Sequence, residues 1–153
     1  MIPQYKRTLD RCDDLIARAP TIATDDLLVS AICQHICVLM AGALETAVKE
    51  ILTDKCRKKS APQIAAYASG RIASFQNADP KKIHSLMAQF DSKWAEQIES
   101  FWSDEIKDHI GSIVGNRHNI AHGRPTEVSI ARIREWRKSL GGFIAQLIVI
   151  TDA

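Results

Sequence analysis

Cysteine is scarce and unpatterned. Cys12, Cys33, Cys37 and Cys56 are the four in the chain, and no two stand in a CxxC or zinc-ribbon spacing. That argues against a thiol-based metal site and for reduced thiols in a cytoplasmic protein. Long apolar runs are missing as well. No stretch of about eighteen uninterrupted apolar residues occurs, and the opening MIPQYKRTLDRCDD has no apolar core of signal-peptide length, so neither secretion nor a membrane span is expected. Neither sign of charge is in excess. Twenty Lys plus Arg against eighteen Asp plus Glu leaves a net +2, too little to imply nucleic-acid binding by overall charge, so any basic surface must be local. A Gly-rich phosphate loop, HExxH, GxSxG and an EF-hand pattern are all absent, which removes most motif-defined enzymes.

What is present is helix-forming sequence. At 153 residues, with 46% hydrophobic and 25% charged residues, the chain is expected to form one domain over residues 1–153 with its own core. Pro3 to Ala19 places Leu9, Cys12, Leu15, Ile16 and Ala19 on one side of a helix that Pro20 is expected to stop. Thr24 or Asp25 then caps a long helix from Asp26 to about Cys56, apolar around most of its circumference and therefore central to a bundle. RKKSAP breaks it, and Ser60 with Pro62 opens a helix carrying Ile64, Ala65, Ala68, Ile72 and Phe75. Asp79 and Pro80 start the next segment, which splits into two short helices near Asp91 and Ser92. A helix from Ser103 follows, with Ile106, Ile110, Ile113, Val114 and Ile120 facing the core and Gly123 closing it. The last, from Ser129 to about Ile150, spaces Ile130, Ile133, Trp136, Leu140, Phe143, Leu147 and Ile150 by threes and fours. Nothing alternates with period two over more than a few residues, so the fold is expected to be all-α: an up-and-down helical bundle of about four long helices with short helices inserted.

The chemistry concentrates in GNRHNIAHGRP, Gly115 to Pro125. His118 and His122 lie four apart, about 40° around a helix axis, as two zinc-binding imidazoles often do. The Glu of a metalloprotease motif is here Asn119, however, and a third ligand would have to come from His109 or Glu45, so no metal is expected. Arg117 and His122 make a second constellation, a guanidinium and an imidazole near the end of a core helix. Two readings of that pair stay open: an active site, or basic side chains resting on the free C-terminal carbonyls of the helix. Glu45 has Lys49 four residues on, in the favourable order for a helical ion pair, and alternatively holds Arg117 or a histidine from the neighbouring helix. Cys33 and Cys37, flanking His35, read as core packing. Arg57 to Lys59, and Arg132, Arg134, Arg137 and Lys138, are either solvated faces or a phosphate-tracking surface.

Taken together, ICVLMAGALETAVKEIL, AQFDSKWAEQIESF, IVGNRHNIAHGRP and VSIARIREW resemble the HEPN superfamily, and within it the RiboL-PSP-type HEPN domains, over about residues 25 to 150. The resemblance implies an all-helical bundle that commonly dimerises and, in active members, a metal-independent endoribonuclease without cofactor. Their motif is an arginine, a polar residue, a spacer and a histidine. Here Arg117 matches the arginine, His118 the polar position and His122 the histidine, while Glu45 matches an acidic residue on the second core helix. The polar position is often asparagine, whereas Asn119 here comes one place later. Whether His118 or Asn119 points into the site is therefore open.

On this resemblance His122 moves a proton, Arg117 stabilises the scissile phosphate, and His118 or Asn119 orients RNA. Two other readings stand beside it. One is a non-catalytic HEPN-like RNA- or nucleotide-binding or dimerisation module. The other is the same chemistry in a toxin silenced by an antitoxin protein, or in phage defence, for which toxicity on expression relieved by His122→Ala is the mark.

Overall fold

The computed structural model describes residues 1–22 and 25–152, which form seven helices and no strand. They are α1 (Gln4–Ile22), α2 (Asp26–Lys59), α3 (Pro62–Ala73), α4 (Pro80–Phe90), α5 (Ser92–Phe101), α6 (Asp104–Ala121) and α7 (Ile130–Asp152). Four are long, α1, α2, α6 and α7, and α3 to α5 are the short insertion, as the periodicity led one to expect.

Long-range polar contacts fix the directions. The backbone N–H of Gln4, at the start of α1, donates to the Glu50 carboxylate far along α2, at 3.1 Å, so these two helices are antiparallel. Gln34 reaches the carbonyl of Thr126 just before α7, and Lys55 pairs with Asp152 at its end, so α2 and α7 run the same way. Between them α6 returns, bound to α7 through His109 and Ser139 at 2.7 Å. The course is up, down, up, down.

At the centre is α2, packed against α1, α3, α6 and α7. Its length and apolarity would suffice to cross a bilayer by composition, and here Ile36, Met40, Leu44, Val48 and Leu52 are wholly buried among those neighbours. From α7 come Ile133, Leu140, Phe143 and Leu147, and from α6 Ile110 and Ile113. Trp102, the C-cap of α5, tilts against Phe143 with ring centroids 5.3 Å apart. Removing such side chains from water is what holds a bundle of this size together, at about 1.5–3 kcal/mol for each large one. Cys12 and Cys37 belong to this core, and burial pushes their thiols up to about 11 and about 12, so both stay protonated and inert at neutral pH.

Caps account for most boundaries. The carboxylates of Asp25, Asp79 and Asp91 and the hydroxyl of Ser103 accept the first free N–H groups of α2, α4, α5 and α6. Thr24, the other candidate cap for α2, lies outside the described residues. Two boundaries correct the sequence reading. Pro20 does not stop α1, which continues to Ile22, because its missing N–H removes only one bond in the last turn, where the Thr21 hydroxyl takes the Arg18 carbonyl at 2.8 Å. Ser60 does not open α3 either. It caps the C-terminus of α2, which runs on through Arg57 to Lys59, by turning both its N–H and its hydroxyl onto the Cys56 carbonyl. Of the apolar residues that α3 carries, Ala65 and Ile72 pack inward, whereas Ile64 is exposed.

Candidate active site

The site is organised by how α6 ends. Its last helical residue is Ala121, His122 is the C-cap, and Gly123 takes the left-handed conformation at φ +66°. The Gly123 N–H then donates to the carbonyl of Ile120 at 3.1 Å and the Arg124 N–H to that of Asn119 at 2.9 Å, the paired bonds of a Schellman motif. His122 itself donates its backbone N–H to His118. The carbonyls of His118, Asn119 and Ile120 are thus satisfied by backbone, and the side chains of Arg117 and His122 are not spent on capping them. Of the two readings of the Arg117 and His122 pair, the capping one finds no support in this geometry.

Arg117 turns inward instead. Half-buried, it donates from Nη1 to Oδ1 of Asn77 at 2.8 Å, across to the link between α3 and α4. Asn77 sits at φ +55°, a left-handed conformation that asparagine tolerates better than most residues. Its own N–H donates to Oε2 of Glu45 at 3.1 Å, and its carbonyl accepts from Asp79 N–H at 2.7 Å. The other oxygen of Glu45 takes Lys49 Nζ at 3.0 Å. Both readings of Glu45 therefore hold in part: the helical ion pair is present, and the carboxylate also supports Arg117, through Asn77 rather than by direct contact.

Asn77 was not singled out from sequence. Its only sign there is that it lies two residues before Asp79, the cap of α4. An Asn between two helices is a candidate for the left-handed region, but nothing local says that its amide meets an arginine forty positions on.

His118 and His122 are exposed and face each other, ring centroids 4.4 Å apart and planes at 59°. Asn119 goes elsewhere, its Oδ1 3.5 Å from Arg124 Nη1 and its carbonyl bound to the Arg124 N–H. Of the two candidates for the polar position, His118 is the one that shares a surface with His122. Around the α6 axis Arg117 and His122 stand about 140° apart, since five positions at about 100° each nearly complete one and a half turns. The guanidinium therefore leaves the helix on a different side from the imidazole pair.

Among the described residues no three of His, Cys, Asp and Glu cluster in a metal-binding arrangement. His109 is nine positions back along α6, about 14 Å at 1.5 Å per residue, and is engaged with Ser139. Glu45 is committed to Lys49 and Asn77. On α7, Arg137 is held by both oxygens of Asp13 at 2.8 and 3.0 Å, whereas Arg132, Arg134 and Lys138 are exposed.

A guanidinium held in place by an amide, and two solvent-facing imidazoles on another side of the same helix end, are groups suited to phosphate binding and to proton transfer. The chain matches the family model described as RiboL-PSP-HEPN over residues 6–151. No curated protein and no solved structure matches it. With that match covering nearly every residue and an all-α bundle beneath it, the chain belongs to the RiboL-PSP-type HEPN family.

Proposed function

We propose that this domain is a metal-independent endoribonuclease of the cytoplasm that cleaves RNA by attack of the 2′-hydroxyl on the adjacent phosphate. The observation that carries the reading is the α6 terminus, where Arg117 is anchored through Asn77 and Glu45 while His118 and His122 stay open to solvent. RNA brings its own nucleophile, so the protein has only to move protons and neutralise charge. His122 takes the proton from the 2′-hydroxyl, or in the mirror role gives one to the leaving 5′-oxygen. Arg117 binds the non-bridging oxygens as their charge grows, and His118 orients the substrate. The P–O5′ bond breaks as the P–O2′ bond forms, leaving a 2′,3′-cyclic phosphate and a 5′-hydroxyl.

An in-line displacement has its base and its acid on opposite sides, which one imidazole does not serve at once. A homodimer in which two α6 termini share a cleft supplies both, and it brings a second Arg117 to the phosphate.

The test is cleavage of a labelled single-stranded RNA in EDTA. Wild type is expected to yield cyclic-phosphate ends, with His122→Ala slower by about a hundredfold or more. Equal rates for the two proteins would sink the mechanism. The rival reading, a non-catalytic RNA- or nucleotide-binding module, draws on the tie of Arg117 to Asn77, which serves folding as much as chemistry. It calls for binding without products from either protein.

A further inference from the structure

The net charge of +2 conceals a segregation. From the last turn of α2 to the end of α4, residues 57–90, there are six basic side chains and a single acidic one, Asp79, whereas the rest of the chain holds fourteen basic and seventeen acidic residues. Lys58 is paired with Asp54 at the end of α2, but three of the six basic side chains lie at an open groove. α3 rests on α2 and scarcely touches α4, and between them lies a cavity of about 730 Å³. Arg71, Lys81 and Lys82 line it, and no acidic residue does. All three are exposed, and among the described residues none of them has an ion-pair partner.

The walls of the groove are apolar and aromatic. Tyr67 is 74% exposed and Ile64 61%, with Phe75 half-buried at the end nearest the α3–α4 link. Exposed aromatic faces interleaved with unpaired cations are the composition that holds single-stranded nucleic acid: bases stack on rings while lysine and arginine follow the phosphates. Position completes the case. Phe75 is two residues before Asn77, so their Cα atoms are within about 7 Å, and Asn77 is the residue that holds Arg117.

We propose that the α3–α4 groove is the track for the single strand of RNA, with Tyr67 stacking a base, Arg71, Lys81 and Lys82 binding phosphates, and the strand running past Asn77 to Arg117. This rests on the ribonuclease reading for what happens at the end of the track, but the binding is independent of it. A second copy of the chain fits the groove poorly, because pairing like surfaces would set the three cations against their own equivalents. An acidic protein partner would also satisfy the charge but would leave an exposed tyrosine ring without a base to stack on.

The experiment measures binding of a fluorescent oligouridine of about ten nucleotides to the His122→Ala protein, so that no turnover intervenes. Adding Tyr67→Ala is expected to weaken binding about tenfold, with Tyr67→Phe restoring it. Adding Arg71→Ala, or Lys81→Ala with Lys82→Ala, is expected to lower the slope of log Kd against log salt by about 0.7 for each cation removed. Unchanged affinity and slope, absence of RNA binding by the His122→Ala protein, or conversion of a dimer to a monomer by the groove substitutions in light scattering would each overturn the proposal. Thermal melts exclude misfolding, since every altered side chain is exposed. Failure of the two readings is separable. Groove-dependent binding with no products from wild type removes the nuclease and leaves the track, whereas His122-dependent cleavage with groove variants that bind normally removes the track alone.

Discussion

Asn77 does three things at once. Its backbone adopts a left-handed angle, its N–H takes one oxygen of Glu45, and its side-chain carbonyl takes Arg117. Substitutions separate these. Asn77→Gly keeps the angle and the N–H and deletes only the acceptor, so the fold should hold while the guanidinium loses its fixed position. Loss of a hydrogen bond to a charged group is worth about tenfold or more in rate if that position is used in the transition state. Asn77→Ala loses the same acceptor and adds about 1–2 kcal/mol of strain at φ +55°. The expected pattern is therefore equal losses of RNA cleavage for the two variants, with a lower Tm for Asn77→Ala alone. Wild-type cleavage by Asn77→Gly would show that Arg117 does not depend on the tie.

At the scale of the element, the end of α6 decides where His122 stands. Gly123 has no atom within 4 Å of the place a Cβ would occupy, so Gly123→Ala meets no clash and its cost is conformational only, from φ +66°. A cost of about 1–2 kcal/mol lowers Tm by only a few degrees in a domain this size. Relaxing that strain would unwind the paired bonds to Asn119 and Ile120 and swing the imidazole, so cleavage should fall further than the melting curve suggests. Gly123→Asn, which tolerates the same angle, should recover much of the rate. If Gly123→Ala cleaves as wild type does, the Schellman turn is not what positions His122. This stop was legible in the sequence because a glycine just past a periodic run has one dominant use. So were the core lines of α2, α6 and α7, and the starts at Asp79 and Ser103, where period and cap agree. Pro20 and Ser60 misled because each obeys a rule with two outcomes: a proline in a last turn costs one bond rather than the helix, and a serine between two helices caps either. Ile64 shows a further limit, since an apolar period says which side of α3 faces inward only if that helix is covered. The Glu45–Asn77–Arg117 relay was half visible, in its charged ends. Its middle depends on a left-handed backbone and a contact across the bundle, which no local pattern encodes.

For the whole molecule, the unresolved demand of the proposed chemistry is a second proton-transfer group on the far side of the phosphate. Within one protomer Arg117 and His122 leave α6 about 140° apart, and the nearest imidazole to His122 is His118 on the same side, 4.4 Å away, so neither supplies an opposing acid. Two protomers related by a twofold axis would do so, each giving one His122 to a shared cleft. Such a site has a kinetic signature that independent sites lack. If wild type and His122→Ala are mixed, allowed to exchange subunits and assayed at constant total protein, only dimers with two intact chains retain both groups. Activity then follows the square of the wild-type fraction, about a quarter in an equimolar mixture, where self-sufficient protomers give about half. Dilution should also lower specific activity once dimers dissociate, and adding His122→Ala protein should not restore it. A linear mixing curve with activity independent of concentration would instead place acid and base within a single chain, and His118 would then be the residue to substitute next.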